Sequence, residues 1–219
     1  MLRLLFEKKG RSVWISHLDL MRLFQRAFKR AGLPLTHTQG FNPRPSVSIA
    51  LPLSVGVESC CELLDFELES CDATCDEIRE KLNTGLVDGI RVLAVYEDGK
   101  KIRDLCYLQC ELTLEYDAGV VDGCAEALQT FFKRESIVVP KKTKGGIQDQ
   151  DIASMIKEIS FAKVNNREVM CHCNICCQNP TLNPAQIPLA IEMHCPEWKA
   201  DFCHIIRLEI FDKNLEVFR

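Results

Sequence analysis

The stretch SHLDLMRLFQRAFKRAG, residues 16–32, decides the fold of the first part of the chain. Its apolar residues recur at the spacing of one helix face: Leu20, Met21, Phe24, Ala27, Phe28 and Ala31. Ser16 is placed to cap the helix, with Asp19 three residues later, and Gly32 followed by Pro34 ends it. The stretch therefore predicts an amphipathic helix.

The segments around this helix predict strands and one further helix. We expect strands at residues 2–8, 35–38, 47–53, 62–68 and 90–96, and a short helix that begins at residue 74 or 76 and ends at 82. We interpret this order as βαββαβ, which is the split βαβ or ferredoxin-like arrangement.

The same order recurs after the polar segment 97–101. Strands are expected at 105–116, 137–140, 159–164, 169–175 and 204–211, and helices at 120–134, 152–156 and 184–191. The sequence thus predicts an α+β fold of two tandem ferredoxin-like units. The N-terminal unit, residues 1–99, holds the basic helix, and the C-terminal unit covers 100–219. Because the halves share no residue-level identity, one continuous α+β domain is the alternative.

Charge is distributed unevenly along the chain. The net charge is -4, yet residues 1–45 carry nine Lys or Arg against two acids, a local +7, and the remainder carries -11. Arg22, Arg26, Lys29 and Arg30 fall on one face of the predicted helix, away from the apolar stripe. A basic N-terminal segment in an otherwise acidic chain indicates an anionic partner, and RNA is the leading candidate. The plainer interpretation is a solvated basic surface.

Two loops add further residues to the predicted anion-binding surface. In GFNPRPSVS, residues 40–48, the prolines stiffen the backbone around Phe41, Asn42 and Arg44, which favours a binding surface over a spacer. Lys142 and Lys144 lie in a second basic, glycine-bearing loop at 141–146. We therefore predict that these residues and the helix cations bind nucleic acid.

Thirteen cysteines raise the question of metal binding. The chain begins without the pattern of a signal peptide and has no apolar run of about 18 residues. We therefore expect a cytoplasmic protein with reduced thiols and no membrane partner. Alternation in 169–175 predicts a strand with Cys171 and Cys173 buried on one face. Zinc or iron–sulfur binding is the alternative, with candidate ligands Cys171, Cys173, Cys176, Cys177 and Cys195.

Catalytic residues are harder to find. The sequence has no phosphate-binding loop of the GxxxxGK[ST] or GxGxxG type. Capping explains Ser16 and Asp19, which leaves His17 or His37 as a lone general base. The sequence therefore favours a non-enzymatic protein, with a small endoribonuclease or hydrolase as the alternative.

Three motifs are similar to those of a known family: ISHLDLMR at 15–22, GFNPRP at 40–45 and PLSVGVES at 52–59. Together they resemble a bacterial, radical-SAM-linked family described as a domain of unknown function. The resemblance continues more loosely through KTKG at 142–145 and TLNP at 181–184. The resemblance implies an accessory of a radical SAM protein. Together with the basic face, this favours an accessory that binds RNA or presents a substrate. A pure protein–protein scaffold is the alternative.

Overall fold

A computed structural model describes residues 1–70, 72–143 and 145–219. It separates into two compact units, which we call the N-terminal unit (Met1–Arg103, with Arg219) and the C-terminal unit (Asp104–Phe218). Each unit contains helices and a sheet, so the predicted α+β class is confirmed.

The N-terminal unit has the predicted order βαββαβ, but the strand expected at 35–38 forms only the isolated bridges Leu35–Leu68 and His37–Pro45. It comprises β1 (Leu2–Lys8), α1 (His17–Arg30), β2 (Val47–Ala50), β3 (Glu58–Phe66), α2 (Cys75–Asn83) and β4 (Ile90–Glu97). The strand order is β4-β1-β3-β2, and all neighbours are antiparallel. β3 begins at Glu58, four residues before the predicted start, because Ser59 pairs with Lys8. The first residues of this strand show no apolar alternation in the sequence, so the pattern did not indicate the pairing.

Helices α1 and α2 cover one face of this sheet. Its core joins side chains from four strands and both helices, among them Leu4, Phe6, Leu20, Phe24, Phe28, Leu64, Phe66, Ile78, Leu82 and Val92. The Phe6 and Phe24 rings are 4.8 Å apart, as are those of Phe28 and Phe66. As predicted, Ser16 caps α1, because its Oγ accepts a hydrogen bond from the Asp19 N–H at 3.2 Å. Burial of the apolar stripe leaves the helix cations exposed.

The C-terminal unit repeats this plan with one insertion. It comprises β5 (Leu105–Glu115), α3 (Cys124–Phe131), β6 (Val138–Thr143), β7 (Gly146–Asp151), β8 (Ile156–Lys163), β9 (Glu168–Cys176), α4 (Gln186–His194) and β10 (Phe202–Asp212). The order is β10-β5-β9-β8, again antiparallel, while β6 and β7 form a separate hairpin. Apart from that hairpin, the two units share one relative strand order. Their assignment as tandem ferredoxin-like units stays a prediction.

Three elements of the C-terminal unit differ from expectation. The predicted basic loop 141–146 is largely built into the β6–β7 hairpin, because polar residues pair there through their backbones and show no apolar period. Helix α3 is shorter than predicted, since Gly123 precedes it with φ +81°, outside helical geometry. The predicted helix at 152–156 is only a 3₁₀ turn, Ala153–Met155.

An amide side chain covers the outer strand of each sheet. In the N-terminal unit, Asn83 Nδ2 donates to the Val92 carbonyl at 2.9 Å, and Oδ1 accepts from the Val92 N–H at 2.8 Å. In the C-terminal unit, Gln129 Nε2 donates to the Ile159 carbonyl at 3.0 Å, and Oε1 accepts from the Phe161 N–H at 3.1 Å. These bonds occupy edge groups that could otherwise pair with another strand.

Across the described ranges, no helix combines the length and the apolar character needed to cross a membrane.

Candidate functional site

Three of the predicted arginines line a single groove beside α1. Its lining residues are Ile15, Asp19, Arg22, Leu23, Arg26, Arg30, Gly85 and Val87, and its volume is about 480 Å³. Helix α1 forms one wall, and the segment between α2 and β4 supplies Gly85 and Val87. The groove therefore has a basic wall with apolar residues at its sides.

The arginines form a row because of their spacing. Arg22, Arg26 and Arg30 are four residues apart, which corresponds to a rise of about 6 Å between successive positions of a helix. All three are exposed. Each guanidinium carries a fork of N–H donors that matches the oxygens of a phosphate or carboxylate. The row can therefore contact successive anionic groups of an extended ligand.

Asp19 offsets part of this positive charge. Its carboxylate accepts from the Ser16 hydroxyl at 2.8 Å and from Arg22 Nη1 at 3.0 Å. The hydrogen bond from Ser16, followed by that from Arg22, lowers the pKa of Asp19. Asp19 is thus ionised at neutral pH, and the groove keeps an excess of two positive charges.

A buried lysine fixes the start of the groove. Lys8 on β1 is only 1% exposed, and its Nζ donates to the Ile15 carbonyl at 2.8 Å. Burial lowers the pKa of Lys8, although the Glu62 carboxylate partly offsets this effect. The bond ties the segment ahead of α1 to the sheet, so the first lining residue is held by the core.

The remaining predicted N-terminal residues lie outside the groove lining. Lys29 is exposed on α1, and Phe41, Asn42 and Arg44 are exposed on the 40–48 loop. The loop closes like a hairpin, because the Thr38 N–H donates to the Arg44 carbonyl at 2.8 Å and the Arg44 N–H donates to Thr38 Oγ1 at 3.0 Å. Phe41 is fully exposed at its tip.

The second basic loop belongs to the C-terminal unit. Lys142 is exposed on β6, opposite Ile147 on β7. Lys144 lies outside the described residues. Lys141 lies opposite Gln148 within the hairpin, and its Nζ donates to the Thr181 carbonyl at 3.2 Å.

The cysteines of β9 are mostly core residues. Cys171 and Cys173 are buried, with the exposed His172 between them, and Cys173 lies opposite the buried Cys110 of β5. Cys176, Cys177 and Cys195 are buried as well. A hydrogen bond with Cys173, followed by burial, raises the pKa of Cys110. The hydrogen bond with Cys110 lowers the pKa of Cys173, but a hydrogen bond with Cys171 and burial outweigh it, so that this pKa is raised as well.

Within the described part of the chain, no set of three or more His, Cys, Asp or Glu residues is placed to hold a metal ion. Binding of zinc or an iron–sulfur cluster stays the untested alternative to a core role for these cysteines.

The two candidate histidines are far apart in the sequence and lie on different elements. His17 is exposed at the start of α1, and His37 is exposed on the loop with its Nδ1 3.9 Å from Glu69 Oε1. Neither lines the groove. Neither histidine is therefore part of the groove that the arginine row lines.

Sequence reasoning missed part of this groove. Gly85 and Val87 follow α2, more than fifty residues after the arginines, and nothing in their local pattern connects them to α1. Asp19 was interpreted only as a capping residue. Its position one helical turn before Arg22 could have placed it in the site.

A cavity of similar size in the C-terminal unit has a different character. Its volume is about 530 Å³, and its charged lining residues are Lys133, Lys157 and Glu158, with His172 beside them. His172 Nδ1 lies 3.6 Å from Glu111 Oε2. Two lysines and one glutamate give this cavity a net charge of +1, against +2 for the arginine groove, so it attracts an anionic ligand less strongly.

Comparisons with solved structures support the fold alone. One chain of a crystal structure of a Cbf5-Nop10-Gar1 complex gives a TM-score of 0.53 at 9% sequence identity, covering 95% of this chain and 48% of that chain. The protein thus spans about half the length of that neighbour. The crystal structure of an unknown protein from Galdieria sulphuraria gives a TM-score of 0.26 at 11% identity, covering 94% and 96% of the two chains.

No curated protein matches the sequence. A family model does match it, over residues 1–184 of the 219, which includes all three motifs that suggested a bacterial family. The chain therefore belongs to the family described as uncharacterized protein conserved in bacteria (DUF2344).

Proposed function

We propose that this protein is a non-catalytic accessory protein that binds RNA through the arginine groove. The observation that carries the proposal is the row formed by Arg22, Arg26 and Arg30, three exposed guanidinium groups on the wall of one groove. Proteins that bind nucleic acid strands commonly track the phosphates with such a positively charged groove.

The spacing of the row suits a strand better than a single small anion. Successive arginine positions rise by about 6 Å along α1, so the three groups reach separate phosphates. A small anion would instead need the guanidinium groups to converge on one point. Phe41, Asn42 and Arg44 on the exposed loop, with Lys29 and Lys142, are proposed as further contacts.

The accessory role rests on the resemblance of the ISHLDLMR, GFNPRP and PLSVGVES motifs to a radical-SAM-linked family. In this proposal, the partner radical SAM enzyme performs the chemistry and this chain presents the RNA. Co-purification of the tagged protein with a radical SAM protein and RNA tests this part. Recovery of the enzyme without RNA, unchanged by ribonuclease treatment, would favour a protein–protein scaffold.

The binding experiment compares two charge-reversal pairs. Arg22→Glu with Arg26→Glu removes two members of the row, whereas Lys81→Glu with Arg91→Glu makes the same charge change at exposed positions outside the groove. Fluorescence anisotropy with a labelled RNA strand is measured over a range of salt concentrations.

We expect the groove variant to bind at least tenfold more weakly. The slope of the logarithm of the binding constant against the logarithm of the salt concentration should be shallower by roughly 1.4, since each phosphate contact to a single strand contributes about 0.7. The control pair should keep most of the affinity. Equal losses in both pairs would show that only net charge matters and would overturn the groove assignment.

The endoribonuclease alternative has a separate test. Incubation of the wild-type protein and His17→Ala and His37→Ala variants with the same RNA should show no cleavage in any sample. Cleavage that disappears in one histidine variant would replace the non-catalytic proposal with an enzymatic one.

A further inference from the structure

The polar cavity of the C-terminal unit is a second candidate binding site, which RNA binding in the arginine groove does not involve. Its volume of about 530 Å³ lies within the range of sites for small ligands. Polar side chains from three neighbouring strands, β5, β8 and β9, line much of it. They include Gln109, Glu158, Ser160, His172 and Asn174.

Asn174 is the centre of one row of these residues. The strand register places it opposite Gln109 of β5 on one side and opposite Glu158 of β8 on the other. Its Nδ2 donates to Glu158 Oε2 at 3.0 Å, which orients the amide. Its Oδ1 is buried, and none of the described residues donates a hydrogen bond to it. A buried acceptor without a donor is unfavourable, so this amide favours a ligand that brings an N–H or O–H group.

His172 is the centre of the neighbouring row. It lies opposite Glu111 of β5 and opposite Ser160 of β8. Because residues 172 and 174 are two apart on β9, both rows lie on the same face of the sheet. His172 Nδ1 is 3.6 Å from Glu111 Oε2, and the histidine side chain is half exposed. The carboxylate thus orients the imidazole, and the exposed part of the ring can stack on another planar group.

Two lysines give the cavity its positive charge. Lys157 of β8 and Lys133, just after α3, both line it and are exposed. Lys157 Nζ lies 5.7 Å from the centre of the Tyr107 ring, a cation–π contact that limits where this ammonium group moves. Since Glu158 is the acidic residue of the lining, the net charge of +1 suits a ligand with one phosphate group.

We propose that this cavity binds one nucleotide unit, with its base against His172 and Asn174 and its phosphate at Lys133 and Lys157. A base combines a flat ring with donors and acceptors along its edge, which matches an oriented imidazole beside an amide. A simple anion would use the lysines and leave the ring and the amide without a role. The unit comes from an RNA strand or from a free nucleotide, and the inference does not depend on the arginine groove.

The test compares whole nucleotides with their parts. The common ribonucleoside 5′-monophosphates, their nucleosides and inorganic phosphate are titrated into the full chain by isothermal titration calorimetry. We expect at least one nucleotide to bind about tenfold more tightly than its nucleoside or phosphate, because only the nucleotide uses both parts of the cavity. Failure of every nucleotide to bind, or equally tight binding of phosphate, would overturn the proposal.

Two variants assign the parts of the ligand. His172→Ala should weaken binding of nucleotide and nucleoside about tenfold each, whereas Lys157→Gln should weaken binding of the nucleotide alone. His37→Ala and Lys213→Gln make the same changes at other exposed positions and should bind like wild type. Unchanged nucleotide binding in His172→Ala would show that the ligand lies elsewhere. Thermal melting of each variant verifies that the fold is retained.

The Arg22→Glu, Arg26→Glu variant keeps this test separate from the proposed function. It should lose RNA affinity and bind nucleotides like wild type. If it loses nucleotide binding while His172→Ala does not, the nucleotides bind in the arginine groove and the cavity assignment is wrong.

The RNA affinity of His172→Ala identifies the source of the nucleotide unit. A loss of RNA affinity together with weakened mononucleotide binding indicates a nucleotide within a strand. Weakened mononucleotide binding with unchanged RNA affinity indicates a free nucleotide.

Discussion

The N-terminal and C-terminal units share a strand order but expose different chemistry. In the N-terminal unit, α1 buries phenylalanines and presents three arginines along one groove. In the C-terminal unit, the buried faces of β5 and β9 contain cysteines, and one polar cavity is lined by two lysines and a glutamate. One relative strand order therefore accommodates either a groove lined by arginines or buried strand faces with cysteines, depending on the residues that the elements carry.

The largest effect should come from the aromatic core of the N-terminal unit. Phe24→Ala removes a fully buried ring that packs against Phe6, and we expect a loss of about 3–5 kcal/mol in the free energy of unfolding. Leu128→Ala in α3 is the counterpart in the C-terminal unit, with an expected loss of about 2–5 kcal/mol.

Hydrogen exchange on both variants tests whether the units are separate in stability. We expect Phe24→Ala to accelerate exchange mainly in β1, β3 and β4, and Leu128→Ala mainly in β5, β8 and β9. Equal acceleration throughout the chain in both variants would show a single cooperative structure and end the division into two units.

A smaller effect is expected at the edge amides, where the two units are most alike. Asn83→Ala and Gln129→Ala each remove two hydrogen bonds to an outer strand, which should cost about 1–3 kcal/mol in urea unfolding. Because each also frees an edge, we expect more self-association in light scattering. Variants that stay monomeric and fully stable would show that the amides do not protect the edges.

The starts of the helices differ between the units. Ser16→Ala removes the side-chain cap of α1 and should cost about 1 kcal/mol. Helix α3 follows Gly123 at φ +81° without a side-chain hydrogen bond, so Gly123→Ala should cost about 1–2 kcal/mol through backbone strain instead. Chemical denaturation measures both values. Replacing Ser16 with Gly should cost only a few tenths of a kcal/mol, and a full loss there would contradict the capping argument.

The smallest effect concerns alkaline pH and the buried thiols. Burial raises the pKa of Cys177 to about 12, and a hydrogen bond with Cys173, followed by burial, raises the pKa of Cys110, against an ordinary cysteine value of 9.0. In the unfolded chain these thiols ionise near that value, so their contribution to stability is present below pH 9 and is lost as the pH rises toward 12.

We therefore expect thermal stability to fall above pH 9, and Cys110→Ala to weaken that dependence. At pH 8, iodoacetamide should label the half-buried Cys60, Cys75 and Cys106 before Cys110 or Cys173. Rapid labelling of Cys173, detected by mass spectrometry, would show that the core of β9 opens readily.

Much of the fold could be predicted where one local rule governs the structure. Helix α1 was predicted with its cap because apolar spacing and the Ser16 signal agree. The start of β3 and the β6–β7 hairpin could not be predicted in the same way, since their polar residues are paired through backbone bonds to distant segments. The arginine face was visible in the sequence, whereas Gly85 and Val87 of the groove were not.

The sequence by itself determined the α+β class, the amphipathic helix with its basic face, and the family, because periodicity, capping and motifs are local properties. Only the tertiary structure decided that Arg22, Arg26 and Arg30 share a groove with Val87, while Lys29 and the 40–48 loop lie outside its lining. It also decided which large apolar side chains stay exposed, such as Trp14. The physical reason is that a groove and the exposure of a side chain depend on packing between segments far apart in the chain.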